Sequence, residues 1–477
     1  MTKPSIRFRL DHPELQGALT KIADLVKAAG GRALLVGGSV RDMALWLPAK
    51  DLDIEVYGIP PTSLIELLSS HFSIDLVGQV FGVIKVQGLP IDVSLSRRET
   101  KAGMGHKGFQ VLSDPGMTFQ EAASRRDYTI NALAYDLEKA EVLDPFGGLA
   151  DLHAKVLRPV SGKFAEDPLR VLRGMQLAAR FDLRAHPSTI PLARGLLKEY
   201  ATLPVERVWG EWAKWAGRAR TPSLGLAFLH ACGWTAVYPE LAALEGCPQD
   251  PEWHPEGDVW THTLWVTDAA ASIATRDGLS EEDRLILVLA ALCHDLGKPA
   301  TTTTSEGRIR SIGHTGRVEF IEQFLARLGA PPRLVERIVA LSRQHLVHVG
   351  FAGSASHVRR LARTLGEAGE NIQALARLVE ADHSGRPPIP PGLPDNMAEM
   401  LRIARELEAE AAAPKPILLG RHLLELGMKP GPRMGEILRA AFEAQLDGAF
   451  GDLSGALEWL RRQPPGPMEE GRKSERQ

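Results

Sequence analysis

The feature that most limits what this chain can fold into is a change of hydrophobic period part-way along it. Between Ala33 and about Val142, short segments rich in Val, Ile and Leu (33–36, 52–57, 82–86 and 91–95) alternate with helical stretches. Short β-branched runs between breakers read as strands, so this part predicts an α/β head. From Asp167 to about Leu460, apolar residues recur at helical spacing and strand signals almost vanish, which predicts an all-α remainder. At 477 residues the chain exceeds one core, and length alone implies roughly three domains. Proline and glycine clusters at 245–258 and 384–396 mark boundaries. The expected division is a head over 1–150, a helical neck over 151–245, further helical domains over 246–390 and 391–462, and a polar, disordered end over 463–477.

In the head, the strand at 33–36 runs into Gly37 and Gly38, where no Cβ keeps a phosphate from the backbone. Arg41 would then meet phosphate oxygens. Asp51 and Asp53 alternate with Leu52, Ile54 and Val56, so on a strand both carboxylates point to one face. That face suits magnesium, because hard divalent cations take oxygen ligands and substrate phosphates complete the shell for nucleotidyl transfer. Asp92, in Pro90-Ile91-Asp92-Val93, adds a third carboxylate, either a base toward an attacking hydroxyl or a further metal ligand. A Gly-Gly pair alone is usually a turn, and Asp-x-Asp occurs on many solvated strands; only the combination is specific.

The combination resembles the polymerase-β-type nucleotidyltransferases and, more narrowly, the bacterial tRNA nucleotidyltransferase and poly(A) polymerase family. The resemblance implies a small mixed sheet in the head, and further strings extend it along the chain. Arg125-Arg126-Asp127-Tyr128-Thr129-Ile130-Asn131 matches the family's second motif, and Asp144-Pro145-Phe146-Gly147-Gly148 its head–neck link. Glu166-Asp167-Pro168-Leu169-Arg170-Val171-Leu172-Arg173 resembles the nucleobase-recognition motif of class II enzymes. Asp167 and Arg170, three apart, are expected on one helix face, presenting an acceptor beside a donor to the base edge, with Arg173 reaching in from the same side. In isolation such a pair would be an intrahelical salt bridge worth roughly 0.3 to 0.5 kcal/mol. Residues 206–214 resemble a motif that buttresses the neck and are expected to be structural. The Gly-, Lys- and Arg-rich stretch 97–115 reads as a mobile loop, which in this family takes part in the switch from adding C to adding A. The segment 418–435 resembles the C-terminal motif, with Lys429 and Arg433 beside a Pro-Gly-Pro turn suited to a phosphate backbone.

Downstream, His262, His294-Asp295 and Asp382 follow the order of the HD phosphohydrolase superfamily. Lone histidines on apolar helices are usually core residues, but here His294-Asp295 follows the buried run Ala290-Ala291-Leu292-Cys293 and precedes Gly297. Imidazole and carboxylate ligands from separate helices can converge on one divalent ion, and nickel, manganese, magnesium and iron all accept such mixed shells. His314 and His345 are open between a second metal and a phosphate. One bacterial branch of the family carries an HD domain after the neck, which assigns it to 246–390 and implies activity on 2′,3′-cyclic phosphate and 2′-nucleotide ends.

Composition excludes the other classes. A net charge of −3 is not that of a nonspecific nucleic-acid binder, so RNA contact must be local, with candidates at Arg97, Arg98, Lys101 and Lys107 and at Arg333, Arg337, Arg343, Arg359, Arg360 and Arg363. No apolar run is long enough for a membrane span and no signal core is present, so a cytoplasmic protein is expected. Cys232, Cys247 and Cys293 lack paired spacing and are expected in cores.

The resulting expectation is template-independent addition and repair of the tRNA 3′-CCA from CTP and ATP. Asp51 and Asp53 would hold magnesium, with Asp92 beside them. Gly38 and Arg41 would cradle the triphosphate, and Arg126, Asp127, Asn131, Asp167, Arg170 and Arg173 would place the nucleotide. His262, His294, Asp295 and Asp382 would hold the second metal. The partner is tRNA, and the state a monomer or homodimer. The rivals are a poly(A) polymerase, an A-adding tRNA nucleotidyltransferase, and an HD hydrolase with a regulatory nucleotide-binding head. The mixed charge at 469–473 counts against the first, and the intact Asp51 and Asp53 against the last.

Overall fold

The structure, a computed structural model, describes residues 13–48, 51–77, 82–101 and 109–463, with backbone alone for 77, 97–101 and 109–113. The chain forms two compact units, Met1–Ala243 with Ala326–Gly329, and Leu244–Leu325 with Ala330–Gln477.

The first unit begins with α1 (Pro13–Ala28), β1 (Arg32–Val36), α2 (Gly38–Ala44), β2 (Leu52–Tyr57) and α3 (Pro61–Ser69). Strands β3 (Ile74–Val77), β4 (Val83–Val86) and β5 (Ile91–Leu95) follow, then the ribbon β6 (Arg97–Lys101) and β7 (Phe109–Ser113). Helix α4 (Phe119–Ala123), β8 (Ala134–Asp136), β9 (Glu141–Leu143) and α5 (Gly148–His153) close the head. Seven strands form one sheet in the order β3-β4-β5-β2-β1-β8-β9. It is mixed: β2 and β5 run parallel, while β1 is antiparallel to both of its neighbours.

Strand alternation decides what each face of this sheet does. Ala33 and Leu35 of β1, Leu52, Ile54 and Val56 of β2, and Ile91 and Val93 of β5 join one apolar core with Leu19, Ile22 and Val26 of α1 and Leu64 and Leu68 of α3. The residues between them, Asp53, Glu55, Asp92 and Ser94, therefore belong to the opposite face. On that side Leu34, Val36 and Tyr57 pack against Phe119 and Ala132, covering only part of it.

The neck contains the short parallel pair β10 (Val156–Leu157) and β11 (Arg184–Ala185), with α6 (Leu169–Phe181), α7 (Thr189–Gly195), α8 (Val205–Arg218), α9 (Pro222–Ala231) and α10 (Pro239–Ala242). Helix α6 packs on α8 and α9, and α8 buries Trp212 and Trp215.

The second unit is helical apart from the hairpin β12 (Thr302–Ser305) and β13 (Arg308–Ser311). Its helices are α11 (Val259–Arg276), α12 (Glu281–Cys293), α13 (Val318–Leu328, whose last turn belongs to the first unit), α14 (Pro332–Gln344), α15 (Ala355–Glu367), α16 (Ile372–Ser384) and α17 (Asp395–Glu406). Then come α18 (Gly420–Glu425), α19 (Pro432–Leu446) and α20 (Leu453–Arg462), which share a small core around Leu418, Leu423, Phe450 and Ala456. Helix α11 packs on α12 and α16, and α12 on α14.

The expected α/β head and helical remainder are borne out. The stretch 97–115 differs: much of it pairs as an antiparallel ribbon, Arg97 opposite Ser113 and Lys101 opposite Phe109, where a loop was expected. Alternating residues at both ends supply a ladder that the glycine-rich middle conceals. Lys107 and the middle glycines lie outside the described residues, as does nearly all of the end expected to be disordered. The three cysteines are buried. Among the described residues, no helix is long and apolar enough to cross a membrane.

Candidate active sites

The open face of the head sheet becomes a site where β1 ends. Gly37 holds φ 75°, a left-handed conformation that glycine adopts without strain, and a Cβ there would lie 2.8 Å from Arg126 Nη1. The glycine thus turns the chain into α2 while Arg126 crosses over it. Asp53 is opposite Val36 on one side and Asp92 on the other; Asp51 immediately precedes the strand. Burial raises the Asp53 carboxyl above its usual range, Arg126 opposes this, and Asp92 and Asp51 raise it further. Lys85 Nζ reaches Asp92 at 3.3 Å. Asp92 and Asp51 thus act electrostatically on Asp53, and a divalent cation would supply the counter-charge, although of the three only Asp53 lines the cleft beside them.

Beyond these acids lies a cleft of about 650 Å³ whose walls come from the head and neck of the same unit. Gly38, Arg41, Asp53, Arg126, Asp127, Asn131, Asp167, Arg170 and Arg173 all line it. Eight Arg and Lys side chains face four carboxylates there, an excess that matches a triphosphate. The side chains interlock. Arg126 donates to Glu55 Oε2 at 3.0 Å, and Arg41 donates to Asn131 Oδ1 at 2.6 Å. Asn131 in turn donates to Asp127 Oδ1 at 3.1 Å, and Arg173 donates to Asp127 Oδ2 at 3.1 Å. Arg41 and Arg180 both stack on Phe181, at 4.3 and 4.6 Å, and both bond Asp42. Burial would raise Asp127, but Arg173, the Tyr128 N–H and the Asn131 amide hold its carboxyl below the usual value.

The expected pairing of Asp167 with Arg170 on one helix face is corrected. Asp167 has φ −135°, ψ 109° and precedes α6, because the ring of Pro168 excludes the helical conformation from the residue before it. Its Oδ1 accepts from Leu169 N at 3.0 Å and its Oδ2 from Arg207 at 2.9 Å. Arg170 donates instead to the carbonyls of Lys163 and Arg125, at 2.6 and 2.7 Å. Residues 206–214 are also more than a buttress. Glu211 sits 3.8 Å from Arg173, and Lys214 and Arg218 line the cleft. The signal was in the sequence: Arg207, Glu211, Lys214 and Arg218 fall at i, i+4, i+7 and i+11, a polar stripe on one face of α8.

In the second unit, six buried side chains converge. His262 comes from the first turn of α11, His294 and Asp295 from the end of α12, His345 from the end of α14, Asp382 from α16, and His314 from the turn after β13. Asp295 Oδ2 faces His294 Nε2 at 3.1 Å and His262 Nε2 at 3.7 Å, while its Oδ1 faces His314 Nε2 at 3.2 Å and His345 Nε2 at 3.9 Å. Asp382 Oδ1 lies 3.2 Å from His262 Nε2. Each imidazole is oriented through its other nitrogen. Nδ1 of His294, His314 and His345 meets the carbonyl of Ala291, Ser311 and Ser342, and Nδ1 of His262 meets Glu256 Oε1 at 2.7 Å. Donation from Nδ1 leaves four Nε2 lone pairs aimed at the carboxylates. Asp295 Oδ1 and His314 Nε2 are buried without a hydrogen-bond partner, as expected for ligands of a cation. Burial drives His345 down to about 3, so it is a neutral donor. Gly297 is needed for close approach rather than for stopping the helix, since a Cβ there would collide with the His314 carbonyl. Sequence reasoning missed Glu256, Lys298 and Arg386. Lys298 bonds Asp295 Oδ2, and Arg386 bonds Asp382 Oδ1, each at 2.7 Å.

Four of the six arginines in the second group are ion-paired within the protein. Arg333 and Arg337 pair with Glu282, Arg337 also with Glu370, and Arg360 and Arg363 with Glu443. Those ion pairs offset the charge of the four arginines they involve.

Fold and sites define a class: a nucleotidyltransferase whose polymerase-type head is joined to a metal-ligating helical domain. Residues 33–158 match the family model described as the poly A polymerase head domain, and residues 259–381 match the HD domain. The chain is 39% identical over 398 residues to the multifunctional CCA protein of Methylobacillus flagellatus, covering 80% of this chain and 92% of that one. It is 36% identical over 398 residues to the protein of the same name from Nitrosospira multiformis, covering 80% and 91%. The chain belongs to the multifunctional CCA protein family. A solved structure of the Bacillus stearothermophilus CCA-adding enzyme in complex with CTP shares the fold, with TM-score 0.64, 23% identity and coverage of 94% and 98%. So does the Thermotoga maritima CCA-adding enzyme complexed with tRNA, with TM-score 0.57, 18% identity and coverage of 96% and 97%.

Proposed function

We propose that this enzyme adds and repairs the 3′-terminal CCA of tRNA from CTP and ATP, selecting the base with protein side chains, and that the cytoplasm is its compartment. The observation that carries this reading is the single cleft in which Asp53 shares walls with Asp167, Arg170 and Arg173. Asp51 and Asp53 would hold Mg²⁺, which when bound neutralises the phosphate oxygens and the charge that develops during transfer. Arg41, Arg126 and the Gly37–Gly38 turn receive the triphosphate, and Asp92 accepts the proton of the attacking tRNA hydroxyl. The oxygen–Pα bond forms and the Pα–O–Pβ bond breaks, releasing pyrophosphate. Asp167, Arg170 and Arg173 face the base. Incubating tRNA that lacks CCA with CTP alone, ATP alone and both tests this: products of plus two, zero and plus three nucleotides are expected. Extended A tracts with ATP alone would instead make the enzyme a poly(A) polymerase, and plus one on tRNA ending in CC only would make it A-adding.

A second activity is supported by the His/Asp cluster: hydrolysis of 2′,3′-cyclic phosphate and 2′-phosphate ends. His262, His294, Asp295 and Asp382 would hold one divalent ion. Asp295, whose other oxygen faces His314 and His345, would share in a second. Nickel, manganese, magnesium and iron all fit the mixed nitrogen and oxygen set. Activity restored to the chelated protein by one of these ions is the expected result.

A further inference from the structure

The His/Asp cluster opens into a cavity of about 240 Å³ that reaches the surface beside Trp253. Three large tryptophan surfaces stand exposed in this chain: Trp46 at 79%, Trp253 at 62% and Trp265 at 50%. Of these only Trp253 lines this cavity. An indole at the rim of a polar, cation-bearing cavity offers an open π-face to whatever enters it.

The turn that carries it is fixed. Trp253 N and His254 N both donate to Asp250 O, at 3.1 and 2.8 Å, and Glu252 N donates to Asp250 Oδ1 at 3.1 Å. Gln249 ties the turn to Gly257 O through Nε2 and to Lys298 Nζ through Oε1. The ring is thus presented on a braced turn rather than a free loop. Inside, the cavity offers two cations, Lys298 and Arg386, and Arg386 Nε is buried without a hydrogen-bond partner. Size decides how a ligand sits: pockets that engulf a whole small ligand run to roughly 300–1,000 Å³. A cavity of about 240 Å³ admits a phosphate and part of a ribose, and leaves the base outside, at the indole.

We propose that Trp253 is the base platform of this site: the nucleoside base of a phosphorylated RNA 3′ end stacks on the indole while its phosphate enters between Lys298 and Arg386. Stacking needs only a π-face, so every terminal base is accepted. Specificity is then for a nucleotide over a bare phosphoester. This rests on the phosphohydrolase reading, and the test separates the two.

In full-length protein loaded with Ni²⁺ or Mn²⁺, kcat/KM is measured for 2′-AMP and for glycerol 2-phosphate, which has no base. Water releases phosphate from both. The preference for 2′-AMP is expected to fall at least tenfold in Trp253→Ala and to be largely kept in Trp253→Tyr, with retained hydrolysis of glycerol 2-phosphate as the control for folding of this unit. Independently of turnover, 2′-AMP added to metal-free protein should quench tryptophan emission in the wild type and not in Trp253→Ala. An unchanged preference in Trp253→Ala, equal quenching in both proteins, or no quenching in the wild type overturns the platform. If neither substrate is hydrolysed with any of the four metals, the phosphohydrolase reading falls, and a quench confined to proteins that retain Trp253 still supports the platform.

Discussion

Arg207 holds Asp167 through one 2.9 Å hydrogen bond, and its Nη1 is buried without a partner. The acceptor proposed to read the base, just ahead of α6, is therefore aimed by a residue of α8. Removing Arg207 leaves Asp167 only the Leu169 N–H and frees its carboxylate to turn. Arg207→Ala is expected to lower kcat/KM for CTP and ATP about tenfold or more and to raise incorporation of UTP, since a well-placed base contact discriminates by about 1–3 kcal/mol. Single-nucleotide incorporation assays read both, and unchanged selectivity would free Asp167 from this dependence. Asp127 makes the companion case for stability. Its native carboxyl titrates below the unfolded value, so its stabilisation is complete above about pH 4 and fades as pH falls through the lower native value. Asp127→Asn should lower stability at neutral pH by about 2 kcal/mol and flatten the acid limb of a urea-unfolding series. That figure lies below the 3–5 kcal/mol of a fully buried pair, because Arg173 keeps 38% of its side chain exposed.

At the scale of elements, the cleft depends on α6 lying close to α9, and glycine sets that approach. A Cβ on Gly225 would come within 2.6 Å of the Met175 carbonyl and 2.9 Å of Trp215 Nε1, which already donates to Pro222 O. Gly225→Ala is expected to cost roughly 1–3 kcal/mol by overpacking. Gly210→Ala on α8, where nothing lies within 4 Å, should instead gain up to about 1 kcal/mol from helix propensity. Thermal unfolding of the two variants separates the effects, and equal shifts would remove the packing explanation. Strands β2 and β5 were legible to the residue because alternation of Leu52, Ile54 and Val56 with acids leaves no other register. Strand β3, the three-residue β8 and β9, and the ribbon β6–β7 were not, since short ladders are fixed by partners distant in sequence. Asp167 was misplaced for a local reason, the proline that follows it. Glu256 was hidden because it lies in the irregular 245–258 stretch, where no period marks the residue that orients His262. Lys298 stood beside the recognised His294-Asp295 pair, yet its inward direction follows from a turn the sequence does not show.

Over the whole molecule, the two sites draw on different chemistry and lie in different compact units. The acids proposed for the head site, Asp51, Asp53 and Asp92, offer oxygen alone, as magnesium prefers, with Asp53 and Asp92 opposite each other on paired strands; the grouped side chains of the second unit are rich in imidazole. Each cluster is completed by its own unit's residues, so damage to one should spare the other. Asp53→Ala is expected to reduce nucleotide addition at least a hundredfold, since the Mg²⁺ ligand proposed here would act in the transition state, and to leave hydrolysis of 2′-AMP intact. Asp295 is buried among four imidazoles and Lys298, so Asp295→Ala risks the packing of its unit. Asp295→Asn keeps the volume while weakening the hold on a cation, and is the variant to compare. It should lose 2′-AMP hydrolysis and keep CCA addition, with circular dichroism confirming the helices. Acid should divide the activities further. Because Asp53 titrates above an ordinary aspartate, protons compete with Mg²⁺ earlier on acidification than ordinary aspartates would allow, and the Mg²⁺ concentration for half-maximal addition should rise accordingly. Loss of both activities from either substitution in a folded protein would mean that the sites are coupled, and that the division by unit does not describe how this enzyme works.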